Sequence, residues 1–140
     1  MKDILLSFCI ALLCFSNAVA QTTPVPAGEI ILYHGKDSVN IFLNKDYYLI
    51  EDSCAEIIRL GHFNQITKKF AGSFKDISSA NRQQVIAKGN YDEEGMKEGN
   101  FICYYLNGNV QARGNFKNNV FSGKWDFFYP DGKPKITFVA

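Results

Sequence analysis

One ten-residue block occurs twice in this 140-residue chain without a gap, and it limits the fold more than any other feature. Gly99-Asn100-Phe101-Ile102-Cys103-Tyr104-Tyr105-Leu106-Asn107-Gly108 aligns with Gly123-Lys124-Trp125-Asp126-Phe127-Phe128-Tyr129-Pro130-Asp131-Gly132, an offset of 24. A repeat of this period marks stacked supersecondary units. Each copy runs from alternating aromatics into Asn-Gly or Asp-Gly, the strongest short-range signal of a β-hairpin. A second match, Gly89-Asn90-Tyr91 with Gly114-Asn115-Phe116, precedes each block at an offset of 25. The extra residue falls in the acidic stretch 92–98, where a loop absorbs it.

If both turns are type I′, with positive φ at two central residues, the pairings follow directly. Tyr105 faces Val110, Cys103 faces Ala112 and Phe101 faces Gly114. In the second hairpin Tyr129 faces Pro134, Phe127 faces Ile136 and Trp125 faces Phe138. Side chains alternate along a strand and cross-strand partners share a face. One face therefore collects Phe101, Cys103, Tyr105, Val110, Ala112, Trp125, Phe127, Tyr129, Ile136 and Phe138, almost all apolar. The other collects Asn100, Ile102, Tyr104, Gln111, Arg113, Lys124, Asp126, Phe128, Lys135 and Thr137. That contrast is expected of a sheet with one packed face, and a slip of one residue destroys it. Gly114 leaves room for the Phe101 ring to lie over the backbone. Gly99 and Gly123, at the starts of the aromatic strands, are expected where a Cβ would clash.

Weaker copies extend upstream. Gly61-His62-Phe63 matches Gly89-Asn90-Tyr91, Gly72-Ser73-Phe74 matches Gly99-Asn100-Phe101, and Val85-Ile86-Ala87-Lys88-Gly89 takes the place of Val110-Gln111-Ala112-Arg113-Gly114. The stretch 75–84 lacks an Asn-Gly turn and reads as a loop or a short helical turn. Residues 39–43 and 47–50 read as a further hairpin around Asn44-Lys45-Asp46, and 55–60 as another strand. The expected organisation is a flexible leader over 21–36, with Pro24, Pro26 and Gly28, then a degenerate hairpin region over 37–87 and two clear hairpin repeats over 88–140. The fold class is all-β, an elongated antiparallel sheet of tandem hairpins.

Residues 1–20 have Lys2, an apolar run over 4–15 and the ending Ala18-Val19-Ala20, the layout of a secretory signal peptide with cleavage before Gln21. The run is about 12 residues, short of the ~20 a spanning helix needs, and no later stretch is apolar enough to span. A lipoprotein reading, with cleavage before Cys14, puts the bulky Leu13 where that processing wants a small residue. The expected address is periplasmic or extracellular. Cys9 and Cys14 leave with the signal peptide, so Cys54 and Cys103 remain. They read either as a disulfide permitted by export, which stabilises by ~4 kcal/mol when unstrained, or as two small buried hydrophobes.

The Gly-x-aromatic, alternating-aromatic, Asn/Asp-Gly pattern at this period resembles the bacterial variant of the MORN repeat, found in chains often described as YwqK-like antitoxins. The resemblance is good over 88–140 and degenerate over 37–87. The stretch 41–60 is similar to exported relatives that place a strand-rich segment before the repeats, some of which continue into a TonB-type transducer domain. This sequence stops at Ala140 and leaves no room for that domain. The resemblance implies an elongated sheet of stacked hairpins that acts as an interaction surface.

No catalytic constellation is legible. His34 and His62 have no carboxylate or cysteine at metal-ligand spacing, and Asp92-Glu93-Glu94 with Glu98 misses the calcium-loop pattern. No nucleophile elbow or phosphate-binding glycine loop occurs. The sequence calls for no metal and no cofactor, and its net charge of +1 points to no nucleic-acid or acidic-membrane partner. The candidate binding residues are Ile102, Tyr104, Arg113, Phe128 and Lys135 on the mixed face, an aromatic patch flanked by cations of the kind that binds protein or an envelope polymer. The rival readings are that this face packs on the N-terminal segment, that the protein is a structural envelope component, an antitoxin-like partner of a secreted toxin, or an enzyme of unseen type. An open array has edges, so residues 135–139 are also a candidate for strand pairing with a second copy.

Overall fold

The structure is a computed structural model and describes residues 31–140. The signal-peptide segment, its cleavage point, Cys9, Cys14 and residues 21–30 of the leader lie outside the described residues. Ten strands form one antiparallel sheet that does not close into a barrel: β1 (Ile31–His34), β2 (Ser38–Leu43), β3 (Ile57–Asn64), β4 (Lys69–Phe70), β5 (Gly72–Ser78), β6 (Val85–Tyr91), β7 (Gly99–Tyr104), β8 (Val110–Lys117), β9 (Val120–Phe128) and β10 (Pro134–Val139). The order is β1-β2-β3-β5-β6-β7-β8-β9-β10, with β4 pairing only with β3. Neighbouring strands are antiparallel and follow chain order, with β4 set off the path between β3 and β5.

The expected register holds through the body of each hairpin. Phe101 pairs with Gly114, Cys103 with Ala112, Phe127 with Ile136 and Trp125 with Phe138. It fails next to the turns. Gly108 donates to the Tyr105 carbonyl (2.9 Å) and Tyr105 donates to the Asn109 carbonyl (2.8 Å). Gly132, Tyr129 and Lys133 repeat this with 2.8 Å in both bonds. Only the glycines have positive φ, 87° and 84°. Each turn is therefore a three-residue loop, a type I turn followed by a left-handed glycine. Pro130 takes the position that type I turns favour for proline, and Asn107 and Asp131 accept the amides two residues on (3.0 Å each). Bulges restore the pairing beyond the turn, so Val110 meets Tyr104 and joins the mixed face, and Pro134 meets Phe128. The type I′ turn exists elsewhere. Asn118 and Asn119, at φ 51° and 65°, join β8 to β9 between Lys117 and Val120.

Upstream, the stretch 31–36 expected in a flexible leader holds strand β1 and the start of its turn into β2. The expected strand over 47–50 is reduced to a bridge between Leu43 and Leu49 and a bond from the Ile50 amide to the Phe42 carbonyl (3.1 Å). In 75–84 no helical turn forms. β5 runs to Ser78, and a tight turn closes with Gln84 donating to the Asn81 carbonyl (2.9 Å). A single 3-10 turn, Asp52–Cys54, is the helical segment among the described residues.

The inner face carries the core. Val39, Ile41, Leu43 and Ile57 are buried at its N-terminal end, with Phe63 and Phe70 packed against them. Rings then meet along the sheet, Phe63 with Phe70 (5.0 Å), Phe70 with Tyr91 (5.2 Å), and Tyr91 with Phe74 (4.9 Å). Beyond a junction over Gly89, the chain of rings resumes through Phe101, Phe116, Phe121, Trp125, Phe127 and Phe138. Trp125, 1 % exposed, is its centre.

Glycine makes this stacking possible. A Cβ on Gly89 would lie 2.7 Å from the Phe74 ring, and one on Gly114 would lie 2.3 Å from the Trp125 ring. Phe74 covers its cross-strand glycine, as expected of Phe101 over Gly114, but at Gly114 the closest ring is Trp125 from the next strand. Gly99 and Gly123 serve differently from the expectation. Nothing lies within 4 Å of a Cβ at either, and φ of 74° and 66° is what selects glycine.

Candidate functional site

The sheet presents two surfaces, the outer face expected from the sequence and an inner cleft that was not.

Cross-strand pairs arrange the outer face in rows. One row runs Asn40, Leu60, Lys75, Lys88, Ile102, Arg113, Asp126 and Thr137, each paired with the next. Beside it lies a polar row that includes Ser38 with His62, Ser73 with Asn90, and Asn100 with Asn115 and Ser122. On the other side sit Phe42, Ile58 and Ile77, a small buried cluster, then Tyr104, Val110 and Phe128. Over β5 to β9 this face holds five exposed cations, Lys75, Lys88, Arg113, Lys117 and Lys124, against one carboxylate, Asp126. The near-neutral total charge conceals this, because most acidic residues lie in the turns 44–56 and 92–98 or, as Asp76, on the inner face.

Asp126 is fully engaged. It accepts from Thr137 Oγ1 (2.7 Å), Arg113 Nε (3.3 Å) and Lys124 Nζ (3.2 Å), and these donors hold its carboxyl below the usual carboxylate range, Thr137 most strongly. Lys75, Lys88 and Lys117 form no ion pair among the described residues. A shallow groove of about 500 Å3 crosses the middle, with Lys88, Asn100, Ile102, Arg113 and Lys124 on its walls.

Of the candidate residues, Ile102, Tyr104, Arg113 and Phe128 share this face as expected. Ile102, Tyr104 and Phe128 are half-buried, and the Arg113 guanidinium lies over Phe128 (5.2 Å), so the ring is roofed. Lys135 is displaced by the bulge between Pro134 and Ile136, and its ammonium lies over Tyr129 (5.6 Å). Leu32, Ala55 and Leu60 pack against Phe42, Ile58 and Ile77, so that cluster is covered, whereas Lys75, Lys88, Arg113, Lys117 and Lys124 are exposed. His34 and His62 are exposed, Cys54 is an exposed free thiol on the 3-10 turn, and Cys103 is a half-buried free thiol on β7. The disulfide admitted by the sequence is not formed, and Cys54 is not the buried hydrophobe of the other reading.

The inner cleft opens where β6 and β7 pair through only Ala87 with Cys103 and Lys88 with Ile102. Its base is a buried ion pair. Arg59 donates through Nε and Nη2 to the two oxygens of Asp76 (2.7 and 2.8 Å) and through Nη1 to the Tyr91 hydroxyl (2.8 Å), and stacks on Phe74 at 4.3 Å. Asp76 is 0 % exposed. A bidentate fork with no unpaired polar atom is the arrangement in which a buried pair is tolerated. Above it are Tyr47, Ile86, Lys97, Phe101, Cys103, Gln111 and Phe127. Burial raises the Tyr47 hydroxyl to about 12, with Asp76 adding to the shift, raises the Cys103 thiol and lowers the Lys97 ammonium. A thiol held protonated is a poor nucleophile. The sequence signal for this cleft was an Arg and an Asp at paired inward positions of β3 and β5, visible only once the register is known.

No family model matches the chain, and no curated protein and no solved structure matches it. Among the described residues no group of three or more His, Cys, Asp or Glu could hold a metal ion, and no helix is long and apolar enough to cross a membrane.

Proposed function

We propose that this is a non-enzymatic, exported interaction module that holds an acidic envelope polymer along the outer face of its sheet. The observation that carries the reading is the segregation of charge, five exposed cations against one satisfied carboxylate, flanked by Asn, Ser and His. Adjacent strands are ~4.8 Å apart. The row from Lys75 to Arg113 therefore presents cations at intervals of about 5 and 10 Å, a spacing suited to an extended chain with repeated anionic groups. The neighbouring amides and hydroxyls supply hydrogen-bond partners for a hydroxylated chain. A single-stranded nucleic acid would call for open stacking platforms, and of the two rings beside the basic row, both half-buried, Phe128 is capped by Arg113. Export follows from the N-terminal segment, and the protein recovered from expressing cells is expected to begin at Gln21.

Binding to immobilised polygalacturonate, with neutral dextran and poly-dT as comparators, tests the reading. Retention on polygalacturonate that falls with salt and drops at least tenfold in Lys75→Glu/Lys88→Glu supports it. Equal retention on dextran, or tighter retention on poly-dT, overturns it.

A further inference from the structure

We propose that the inner cleft is a binding site for a small anion with a flat aromatic body, distinct from the outer face and independent of its ligand. The cleft comprises two adjoining cavities of about 480 and 560 Å3 that share Tyr47, Ile86 and Gln111. That is the size range of small-molecule sites, and the composition matches, with apolar walls and few polar groups. Phe101 and Phe127 offer ring faces, and Ala112 keeps the floor low.

The polar groups select the charge. The Arg59 and Asp76 charges neutralise one another, and their hydrogen-bonding atoms are occupied. Lys45 and Glu56, on the wall of the second cavity, are also of opposite sign, and the Glu56 carboxylate accepts the Lys45 amide (2.8 Å). Lys97 is left over. It forms no ion pair among the described residues, its ammonium rests 5.3 Å from the Phe116 ring, and burial disfavours its charge. An anion in the cleft would restore what the ammonium lacks. Gln111 has an amide nitrogen free to donate, since among the described residues its side chain is engaged only through Oε1, by a long contact from Cys103 Sγ (3.9 Å).

Tyr47 supplies a second, independent indication. The turn 44–48 has the hydrogen bonds of the repeat turns, Tyr47 donating to the Asn44 carbonyl (3.0 Å) and Asn44 to the Tyr48 carbonyl (2.9 Å). In the turns at 105–109 and 129–133, and in the one at 92–96, glycine fills the left-handed position. Here it is Tyr47, at φ 66°. A bulky residue in that region is strained, and such strain persists where the side chain is needed. The ring lines both cavities, 5.8 Å from the Arg59 guanidinium. It forms a wall against which a flat ligand stacks.

The test is calorimetric titration of the folded chain with 2-naphthoate and with 2-naphthalenemethanol, which has the same rings without the charge. Saturable one-to-one binding of naphthoate, about tenfold tighter than the alcohol, is expected from one charge-assisted hydrogen bond. Lys97→Met should abolish that preference and leave the alcohol unchanged. Gln111→Trp, at an exposed position, should fill the cleft and remove both. Tyr47→Gly should relieve the backbone and keep the thermal midpoint at or above that of the parent, while weakening naphthoate several-fold. No saturable binding, a preference that survives Lys97→Met, or a Tyr47→Gly variant that loses stability but not affinity would each overturn the proposal. Retention of every variant on polygalacturonate separates failure here from failure of the outer-face reading.

Discussion

At Gly114 a single missing carbon decides whether the aromatic spine closes. The Trp125 ring occupies the space a Cβ would need, and the indole Nε1 donates to the Asn115 carbonyl (3.0 Å), so the ring cannot retreat without losing that bond. Gly114→Ala should lower stability in urea unfolding by at least ~2 kcal/mol, the scale of overpacking in a dense core. Gly99→Ala, where nothing crowds the Cβ, should lose only the ~1 kcal/mol of a left-handed backbone. The Arg59–Asp76 pair makes a different contrast. Arg59→Met leaves a buried carboxylate unpaired and should destabilise by ~3–5 kcal/mol, whereas Arg59→Met combined with Asp76→Leu should recover much of it. Tyr47 adds an alkaline dependence, damped by solvent because the side chain is 45 % exposed. Its value of about 12 in the folded chain lies above the ordinary 10.0, so the folded state holds the proton more tightly. That contribution is constant below pH 10 and is lost as pH rises from 10 towards 12, and Tyr47→Phe should flatten this part of the stability profile in denaturant titrations. Which glycines lie beneath rings was half legible. Gly114 was marked as a ring seat from its place opposite Phe101, but that Trp125 fills it depends on bulges that no local pattern announces.

The hairpins were legible as elements because Asn-Gly and Asp-Gly interrupt alternating aromatics. Their turn type was not, since the same dipeptides serve a type I′ turn and a three-residue loop that ends in glycine. The register of the strands chooses between them. With Tyr105 paired to Asn109, the bulge at Gln111 moves Val110 to the outer face and leaves Ala112 and Gly114 inward, where Cys103 and Phe101 need small partners. The two turn classes predict different responses. At Asn107, which has negative φ and accepts the Asn109 amide, Asn107→Gly should destabilise slightly through lost hydrogen bonding and added chain entropy. At Asn118, with φ 51° and its backbone amide rather than its side chain bonded to Glu98, Asn118→Gly should be tolerated or stabilising by a few tenths of a kcal/mol, judged by thermal midpoints. The N-terminal elements were the least legible. β1 lies in a stretch whose upstream neighbours are Pro-rich, and the 47–50 segment has strand-forming residues but is drawn over the cleft by the Asn44 turn.

Across the whole molecule, the sequence shows two faces and the structure shows what each one holds. The apolar stripe read from two hairpins runs the length of the sheet as a chain of rings, since Phe63, Phe70, Phe74 and Tyr91 occupy the corresponding places in the degenerate copies. The outer stripe is cationic more than aromatic. Net charge hid this because sign is distributed by element, the carboxylates going to turns and the lysines to outward strand positions. Charges spread over four strands become one surface only when the strands are side by side. Binding along the outer face depends on this sidedness, and an amide chemical-shift titration of the isotope-labelled folded chain with an oligomer of galacturonic acid tests it. Shifts concentrated on Lys75, Lys88, Ile102, Arg113, Asn115 and Lys124, fading with added salt, are the predicted result. Shifts confined to the inner cleft around Arg59 and Lys97, or an unchanged spectrum at saturating oligomer, would contradict it.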